Sequence, residues 1–156
     1  MAFKTILVSL NDIPRNAALL AVAANLAKDI DAHIVGLYIV PAVEIYGGDG
    51  IATMPVVFEG RRDHFRNASA SVKSAFEAAL RKDGLRGHFE PMEASIPDIT
   101  AVFIDHAHRA DIAIVSQGDT SESAMLESDF VERTTLSAGR PVLVIPRKGK
   151  ADLSGD

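Results

Sequence analysis

The chain has 156 residues, no cysteine, 16 lysines and arginines against 21 acidic residues, and a formal net charge of −5 at pH 7. The length predicts one domain with a core large enough to fold without disulfides. The missing cysteines exclude thiol catalysis, disulfide bonds and cysteine-ligated zinc. The acidic balance, with no run of lysine or arginine, indicates that nucleic acid is not a partner.

The chain opens on a short apolar run, residues 3–10, that is typical of a β-strand. The run is too short to span a bilayer and no signal-peptide cleavage site follows it, so we expect no membrane association and a cytoplasmic protein. Asn11 and Asp12 then offer side chains that cap helices, and Pro14 suits a first helical turn. Apolar residues from Leu19 to Ile30 recur with the period of a helix.

The middle of the chain alternates between strands and helices. Residues 33–40 are nearly all apolar, as in a strand covered on both faces, and residues 61–82 return to the helical period. Residues 88–93 form a weaker strand, and Pro91, which lacks a ladder donor, predicts a place at the sheet edge. Residues 41–60, between the strand at 33–40 and the helix at 61–82, contain two prolines and four glycines. We expect a loop packed on the core there, with a lid or a partner surface as the alternative.

The last third of the chain repeats the alternation. It contains a predicted helix that opens at Pro97 and Asp98, a strand over residues 111–116, a helix over residues 125–138 and a strand over residues 142–145. Five strands separated by helices predict an α/β fold, in which a parallel sheet carries helices on both faces. We assign residues 1–146 to one domain and residues 147–156 to a polar tail.

An open α/β sheet binds ligands outside the carboxyl ends of its strands, where the winding reverses. If the first strand is central, the second and fourth strands flank it, and the segments that follow these three strands converge. The amino end of the last helix would add free N–H groups that suit an anion. The residues that we place at this nucleotide-binding crevice are Asn11, Val40, Ser116, Gly118, Ser128 and Asp129.

Three stretches carry a family resemblance: ILVSL in the first strand, ADIAIVS in the fourth, and the closing PVLVIP. Through them, residues 3–146 resemble the universal stress protein family. The resemblance implies an open, doubly wound, Rossmann-like sheet of five parallel strands in the order 3-2-1-4-5, and a homodimer. It also implies a role in the stress response, and we expect the protein not to be an enzyme. One branch of the family binds ATP, and another does not.

The loop after the fourth strand departs from the ATP-binding branch. That branch carries Gly, two residues, Gly, nine residues and then Gly-Ser or Gly-Thr, whereas the matching positions here are Ser116, Asp119 and Ser128–Asp129. Asn11 stands where the family places an aspartate that faces the nucleotide. Glycines let backbone N–H groups approach a phosphate closely, and side chains occupy that space instead.

The same loop is acidic. The acids between Gln117 and Glu132, with no lysine or arginine among them, are Asp119, Glu122, Glu127, Asp129 and Glu132. A triphosphate there would meet like charge, at roughly 4 kcal/mol for a pair ~4 Å apart and an effective dielectric constant of about 20. Arg15 and Mg²⁺ are the candidates to offset this repulsion. We expect no cofactor and no tight ATP binding, and ATP or AMP with Mg²⁺ is the alternative.

Two further constellations are weak. Asp105 and His108 have the i, i+3 spacing of metal ligands on a helix, but one pair does not predict a metal site. His106 falls on the apolar face, where a partnered core histidine is expected. Serine catalysis and an enzyme that uses residues 42–60 as a lid both lack a catalytic constellation. The serines considered as nucleophiles are Ser9, Ser116 and Ser128.

The apolar fifth strand predicts self-association. In the order 3-2-1-4-5 it is an edge strand with unpaired ladder groups, and such edges pair with other chains unless they are blocked. Pro146 limits its length but leaves the rest open. Antiparallel pairing with a second copy gives a two-fold dimer. We predict a homodimer whose interface residues are Val142, Leu143, Val144 and Ile145.

Overall fold

The computed structural model describes residues 3–42, 56–95, 98–117 and 129–148. Strands and helices alternate along these residues as the sequence predicts. The elements are β1 (Thr5–Ser9), a 3-10 turn (Ile13–Arg15), α1 (Asn16–Ile30), β2 (His33–Ala42), α2 (Val56–Asp83), β3 (Gly87–Ser95), α3 (Ile99–Ala107), β4 (Ile112–Ser116), α4 (Phe130–Ser137) and β5 (Val142–Ile145). None of the helices in these ranges is both long and apolar enough to cross a bilayer.

The five strands form one parallel sheet in the order β3-β2-β1-β4-β5, which confirms the predicted order and makes β1 the central strand. Val8 of β1 is in register with Gly36 of β2 and with Ile114 of β4. The chain winds outward from β1 in both directions. The winding therefore reverses between β1 and β4, and this is where a ligand crevice is expected.

Each face of the sheet is covered by two helices. On one face, α1 and α2 pack around a core that includes Leu19, Tyr38 and Phe76. On the other face, α3 and α4 bring Phe103 and Phe130 together, with ring centroids 5.1 Å apart. Successive residues of a strand point to opposite faces, so burial of both faces requires apolar residues all along the central strands.

β3 is longer than predicted and lies at the predicted edge. The strand runs from Gly87 to Ser95, beyond residues 88–93, and pairs with β2 along its whole length. Its register begins where the Ile34 N–H donates to the Arg86 carbonyl. Alternate residues face the neighbouring strand, so Pro91 faces away from β2 and its missing N–H costs no ladder bond.

The other element boundaries differ from the predictions by a few residues. α2 begins at Val56 rather than at residue 61, and β2 continues to Ala42. α4 begins at Phe130, and residues 125–128 of the predicted last helix lie outside the described residues. The loop predicted over residues 41–60 also lies mostly outside them, so its packing against the core stays a prediction.

Candidate functional site

The carboxyl ends of β1, β4 and β5 lie together at one edge of the sheet, and side chains join the segments that follow β1 and β5. The Arg15 guanidinium donates to the Pro146 carbonyl at 2.5 Å. The Arg147 guanidinium donates to the Asp12 carboxylate at 3.1 Å. β4 lies between β1 and β5, so both contacts cross the end of β4. We call Asp12, Arg15, Pro146 and Arg147 the crevice bridge.

Gln117, the first residue after β4, connects the end of β4 to the residues that follow β5 by two hydrogen bonds. Its backbone N–H donates to the Ile145 carbonyl at 2.8 Å. Its side-chain carbonyl accepts the backbone N–H of Arg147 at 3.1 Å. The chain therefore leaves β5 along a defined path that carries Arg147 back toward β1.

The crevice bridge is partly buried and carries a net positive charge. The side chains of Asp12 and Arg147 are 17% and 32% exposed, so water screens their attraction less than it screens a surface pair. The Nε of Arg15 is buried and has no hydrogen-bond partner. Two guanidinium groups and one carboxylate leave one unit of positive charge. The crevice bridge thus contains two cationic side chains, whereas the sequence predicts an acidic loop after β4.

Asn11 has a structural task that the sequence analysis did not foresee. Its side-chain amide donates to the Ile39 carbonyl at 2.7 Å and its side-chain carbonyl accepts the Ile39 N–H at 2.9 Å. The last backbone bond between β1 and β2 joins Leu10 to Leu37, so β2 continues past the end of β1. Ile39 lies two residues after Leu37, so its backbone groups also face the β1 side of β2. Because β1 has ended at this level, the side-chain carboxamide of Asn11 makes the two hydrogen bonds that a backbone residue of β1 would otherwise make.

The predicted cap at the start of the first helix is wrong. The side chain of Asp12 makes no capping hydrogen bond to the 3-10 turn that follows it. The carboxylate points instead to Arg147, and Asn11 is held by β2. The Asp12 carboxylate thus pairs with the guanidinium of Arg147, near the other end of the chain, instead of accepting from the backbone N–H groups of the turn that follows it.

Ser116 and Val40 are both buried but are not brought to the same place. Ser116 is 6% exposed at the end of β4, directly before Gln117. Val40 packs in the core under α1 and α2, and it also lines a separate cavity of about 300 Å³ between β2, β3 and α2 with Arg66 and Met92. Only Ser116 of this pair is therefore next to the crevice bridge.

Of the remaining predicted crevice residues, the structure describes only Asp129, at the amino end of α4. Asp129 precedes the helix, and its carboxylate is 3.8 Å from the guanidinium of Arg133 one turn later. This pairing offsets one of the negative charges that the sequence analysis counted against phosphate. Gly118 and Ser128 lie outside the described residues.

The weak metal pair of the sequence is used for other contacts. Asp105 of α3 forms an ion pair with Arg109 in the turn that follows this helix, and a ring nitrogen of His108 lies 2.9 Å from the Ser137 carbonyl. In the four described stretches, no group of three or more histidine, aspartate or glutamate side chains is arranged to hold a metal ion.

His106 has the partners expected of a core histidine. Its side chain is 10% exposed, with Nδ1 2.8 Å from the Val102 carbonyl and Nε2 3.5 Å from the Glu90 carboxylate. This confirms the prediction of a partnered histidine on the apolar face of α3.

Arg147 is the site residue that sequence reasoning missed. The sequence analysis assigned it to a polar tail because the domain was drawn to end at Pro146. A signal was nevertheless present. The first residues after any strand of a parallel sheet lie at the carboxyl edge, and the rule that selected Asn11 and Ser116 also applies to the end of β5.

A second cavity, of about 670 Å³, lies between α1 and α2, and its lining includes Ile13 and Asn16 next to the crevice bridge. Its walls are mainly small residues of the two helices, and an ion pair between Lys28 and Asp83, 3.0 Å apart, closes one end. No strand end reaches it, so the topological argument for a ligand applies to the crevice and not to this cavity.

Comparison with known proteins identifies the fold. Neither a protein-family model nor a curated protein matches the chain. Solved structures do. A universal stress protein family member from Burkholderia pseudomallei is 24% identical, with a TM-score of 0.66 over 93% of this chain and 97% of that chain. UspA from Lactobacillus plantarum is 17% identical, with a TM-score of 0.66 over 93% and 99%.

A third structure is that of the universal stress protein from Archaeoglobus fulgidus in complex with dAMP. It is 17% identical to this chain, with a TM-score of 0.59 over 93% of this chain and 99% of that chain. The fold is therefore that of the universal stress proteins, as the resemblance of the sequence implied.

Proposed function

We propose that this chain is a universal stress protein: a non-enzymatic, homodimeric, cytoplasmic stress-response module that acts through association and does not bind ATP tightly. The fold supports the family assignment, because the similarity to universal stress proteins extends over more than nine-tenths of the chain. The two finer parts of the proposal rest on different regions of the molecule. Weak ATP binding rests on the crevice bridge, and dimer formation rests on β5.

The observation that carries the proposal is that the protein's own side chains occupy the end of β4. A nucleotide in the crevice between β1 and β4 has to separate Asp12 from Arg147, or Arg15 from Pro146. Breaking these charged hydrogen bonds costs on the order of 1–3 kcal/mol, which the ligand must offset through its own contacts. Asn11 is already bonded to β2 and contributes little to a base.

Within the described residues β5 pairs with β4 alone, and its outer edge supports self-association. The carbonyl of Pro141 accepts a hydrogen bond from Ala113 of β4, and that of Ile145 accepts one from Gln117, directly after β4. Because alternate residues of a strand face the same neighbour, the backbone groups of Val142 and Val144 face away from β4. An antiparallel second copy of β5 would satisfy them and form a continuous sheet across a two-fold axis.

Two measurements on the purified wild-type protein test this proposal. Titration calorimetry with ATP and Mg²⁺ should give a dissociation constant above about 0.1 mM, a free energy of binding weaker than about 5.5 kcal/mol. Sedimentation equilibrium should give a dimer. Low-micromolar affinity for ATP would overturn the first part, and a protein that stays monomeric at high concentration would overturn the second.

The second candidate function is binding of an adenine nucleotide with slow or no hydrolysis. It is favoured by the Archaeoglobus fulgidus structure, which shares the fold and is described as a complex with dAMP. Mass spectrometry of the natively purified protein distinguishes the two candidates. A co-purifying adenine nucleotide would favour the second, and a nucleotide-free protein would favour the first.

A further inference from the structure

We propose that the cavity between α1 and α2 is a binding site for a linear, mainly apolar molecule with a hydroxyl group at one end and a carboxylate at the other, the class of ω-hydroxy fatty acids. The inference goes beyond the proposed function, because it uses neither the end of β4 nor the edge of β5. Its test can therefore fail while weak ATP binding and self-association stand.

The shape of the cavity suits an elongated ligand. Its volume of about 670 Å³ lies within the usual range of small-molecule sites, roughly 300–1,000 Å³. Its lining extends along α1 from Asn16 to Lys28 and along α2 from Ser71 to Asp83, twelve residues further along each helix. At about 1.5 Å per residue, the cavity is roughly 18 Å long.

The middle of the cavity is apolar and is kept open by small side chains. Leu20 and Val72, both buried, form part of its lining. Alanines at helical spacing line it from both helices, and an alanine side chain ends at Cβ, so the space that longer side chains would fill stays free. These alanines are Ala17, Ala21 and Ala24 of α1 and Ala75 and Ala79 of α2. An alkyl chain placed there would bury apolar surface on both helices.

At one end of the cavity, Asn16 has a hydrogen-bond acceptor without a donor. The Asn16 side chain is 7% exposed and lines the cavity, and its amide group donates to the Leu10 carbonyl at 2.8 Å. Its Oδ1 is buried and accepts no hydrogen bond from any residue that the structure describes. A buried acceptor in this state is unfavourable. A hydroxyl group that reaches Asn16 from the cavity would donate to Oδ1, so this end favours a ligand with a donor.

At the other end, the cavity carries an excess of positive charge. Lys28 and Lys82 both line it, and the Lys28 ammonium is paired with the Asp83 carboxylate at 3.0 Å. Lys82 forms no ion pair with a residue of the described stretches. The three side chains together leave one positive charge, which complements a monocarboxylate. Because Lys82 is exposed, water screens the attraction, and its main effect is to orient the ligand.

The experiment uses three probes that differ only at their ends. ω-Hydroxydodecanoate carries both polar groups, dodecanoate lacks the hydroxyl group, and the methyl ester of ω-hydroxydodecanoate lacks the charge. Each probe is titrated into the full chain at concentrations below micelle formation. Calorimetry gives the affinities, and the backbone amide NMR signals of Ala21 and Ala75 report where the probe binds.

Four variants accompany wild type: Asn16→Ala, Lys82→Gln, Ala21→Leu and the control Ala78→Leu. Ala21→Leu places a longer side chain in the cavity. Ala78→Leu makes the same change at an exposed position of α2 that does not line the cavity.

Wild type should bind ω-hydroxydodecanoate with micromolar affinity and should shift both amide signals. Dodecanoate should bind about five- to tenfold more weakly, because Oδ1 of Asn16 then stays without a donor, and this difference should disappear in Asn16→Ala. Lys82→Gln should weaken binding of both acids about two- to fourfold and leave the ester unchanged. Ala21→Leu should weaken binding of all three probes about tenfold or more, since its side chain overlaps the alkyl chain, and Ala78→Leu should match wild type.

Three results would overturn the inference: no binding of ω-hydroxydodecanoate to wild type, equal affinities of wild type for the two acids, or wild-type affinity in Ala21→Leu. Shifts that leave the amides of Ala21 and Ala75 unmoved would place the probe elsewhere and would also overturn it. If Asn16→Ala does not fold, the comparison of the two acids in wild type still decides whether the hydroxyl group is recognised. If Ala21→Leu does not fold, Ala75→Leu fills the cavity from α2, with the same expected loss.

Discussion

β3 and β5 are the two edges of one sheet, yet they present opposite surfaces to a neighbouring strand. β3 has nine residues, carries Pro91 with its nitrogen facing outward, and places Glu93 at the rim, 3.6 Å from Arg66. β5 has four residues, all of them aliphatic, and its outward backbone groups belong to Val142 and Val144.

For the homodimer that we propose, the difference favours β5 over β3 as the edge that associates. A proline and a charged side chain are common means of protecting an exposed edge, and β3 has both. β5 has neither between Val142 and Ile145. One open edge and one protected edge permit a closed two-fold dimer, whereas two open edges would permit open-ended growth of the sheet.

The largest expected effect comes from blocking β5. Val144→Pro removes an outward N–H from each copy without removing a bond to β4, so the dimer should weaken about 30-fold or more and monomer should dominate in sedimentation equilibrium. The matched control is Glu93→Pro, which removes an outward N–H at the other edge. If Glu93→Pro dissociates the dimer and Val144→Pro does not, the edges have been assigned the wrong way round.

The converse experiment opens β3. Pro91→Val combined with Glu93→Val restores the outward donor and removes the charge, so the sheet then has two unprotected edges. We expect assemblies larger than a dimer, seen by light scattering, at concentrations where wild type remains dimeric. Adding Val144→Pro to this double variant should limit growth to pairs. A double variant that stays dimeric would show that β3 is kept free by something other than these two residues.

A smaller effect is expected where α2 is attached to the β3 side of the sheet. The Tyr38 hydroxyl, fully buried, donates to the Phe65 carbonyl at 2.6 Å. Tyr38→Phe should lower the free energy of unfolding in urea by about 1 kcal/mol. Ser71→Ala removes an exposed hydroxyl that bonds within the same helix and should change it by less than about 0.5 kcal/mol. Equal losses in both variants would contradict a special role for Tyr38.

The smallest expected effect is a dependence of stability on pH at the amino end of β2. Burial lowers the pKa of His33 below its ordinary 6.5, and His88 and Arg86 lower it further. Between that lowered pKa and 6.5 the unfolded chain binds a proton that the folded chain does not. Stability should therefore fall as the pH drops below about 6.5.

His33→Gln should remove this slope in thermal unfolding experiments between pH 7 and 5. Asp111 provides a separate acid reference, since the backbone N–H groups of Lys4 and Thr5 lower its pKa. The stability that Asp111 contributes is present above pH 3.8 and is lost as the pH falls through its lowered pKa. A slope that persists in His33→Gln would assign the effect to another group.

Much of the fold was predictable, and the crevice was predictable only in part. The apolar run of β2 and the helical spacing of α1 indicated their elements directly, and Pro91 correctly indicated an edge. The sequence also placed Asn11 and Ser116 correctly at the carboxyl ends of β1 and β4, while their part in binding a ligand stays a prediction. It did not reveal that Asn11 completes the β2 ladder, because that depends on β2 continuing past the end of β1.

The same limit applies to the crevice bridge. Asp12 and Arg147 are 135 residues apart, and Arg15 and Pro146 are 131 residues apart. No local pattern links them. They meet because only β4 separates β5 from β1 in the sheet, so that side chains of ordinary length can reach across the end of β4.

By itself, the amino-acid sequence determined the alternation of strands and helices and the apolar character of β5. A strand buried on both faces requires a continuous apolar run, a helix buried on one face requires apolar residues at the helical repeat, and both patterns can be read locally. Only the tertiary structure decided which charged groups meet at the carboxyl edge. That outcome depends on strand order and strand length together, and these bring residues from opposite ends of the chain within hydrogen-bonding distance.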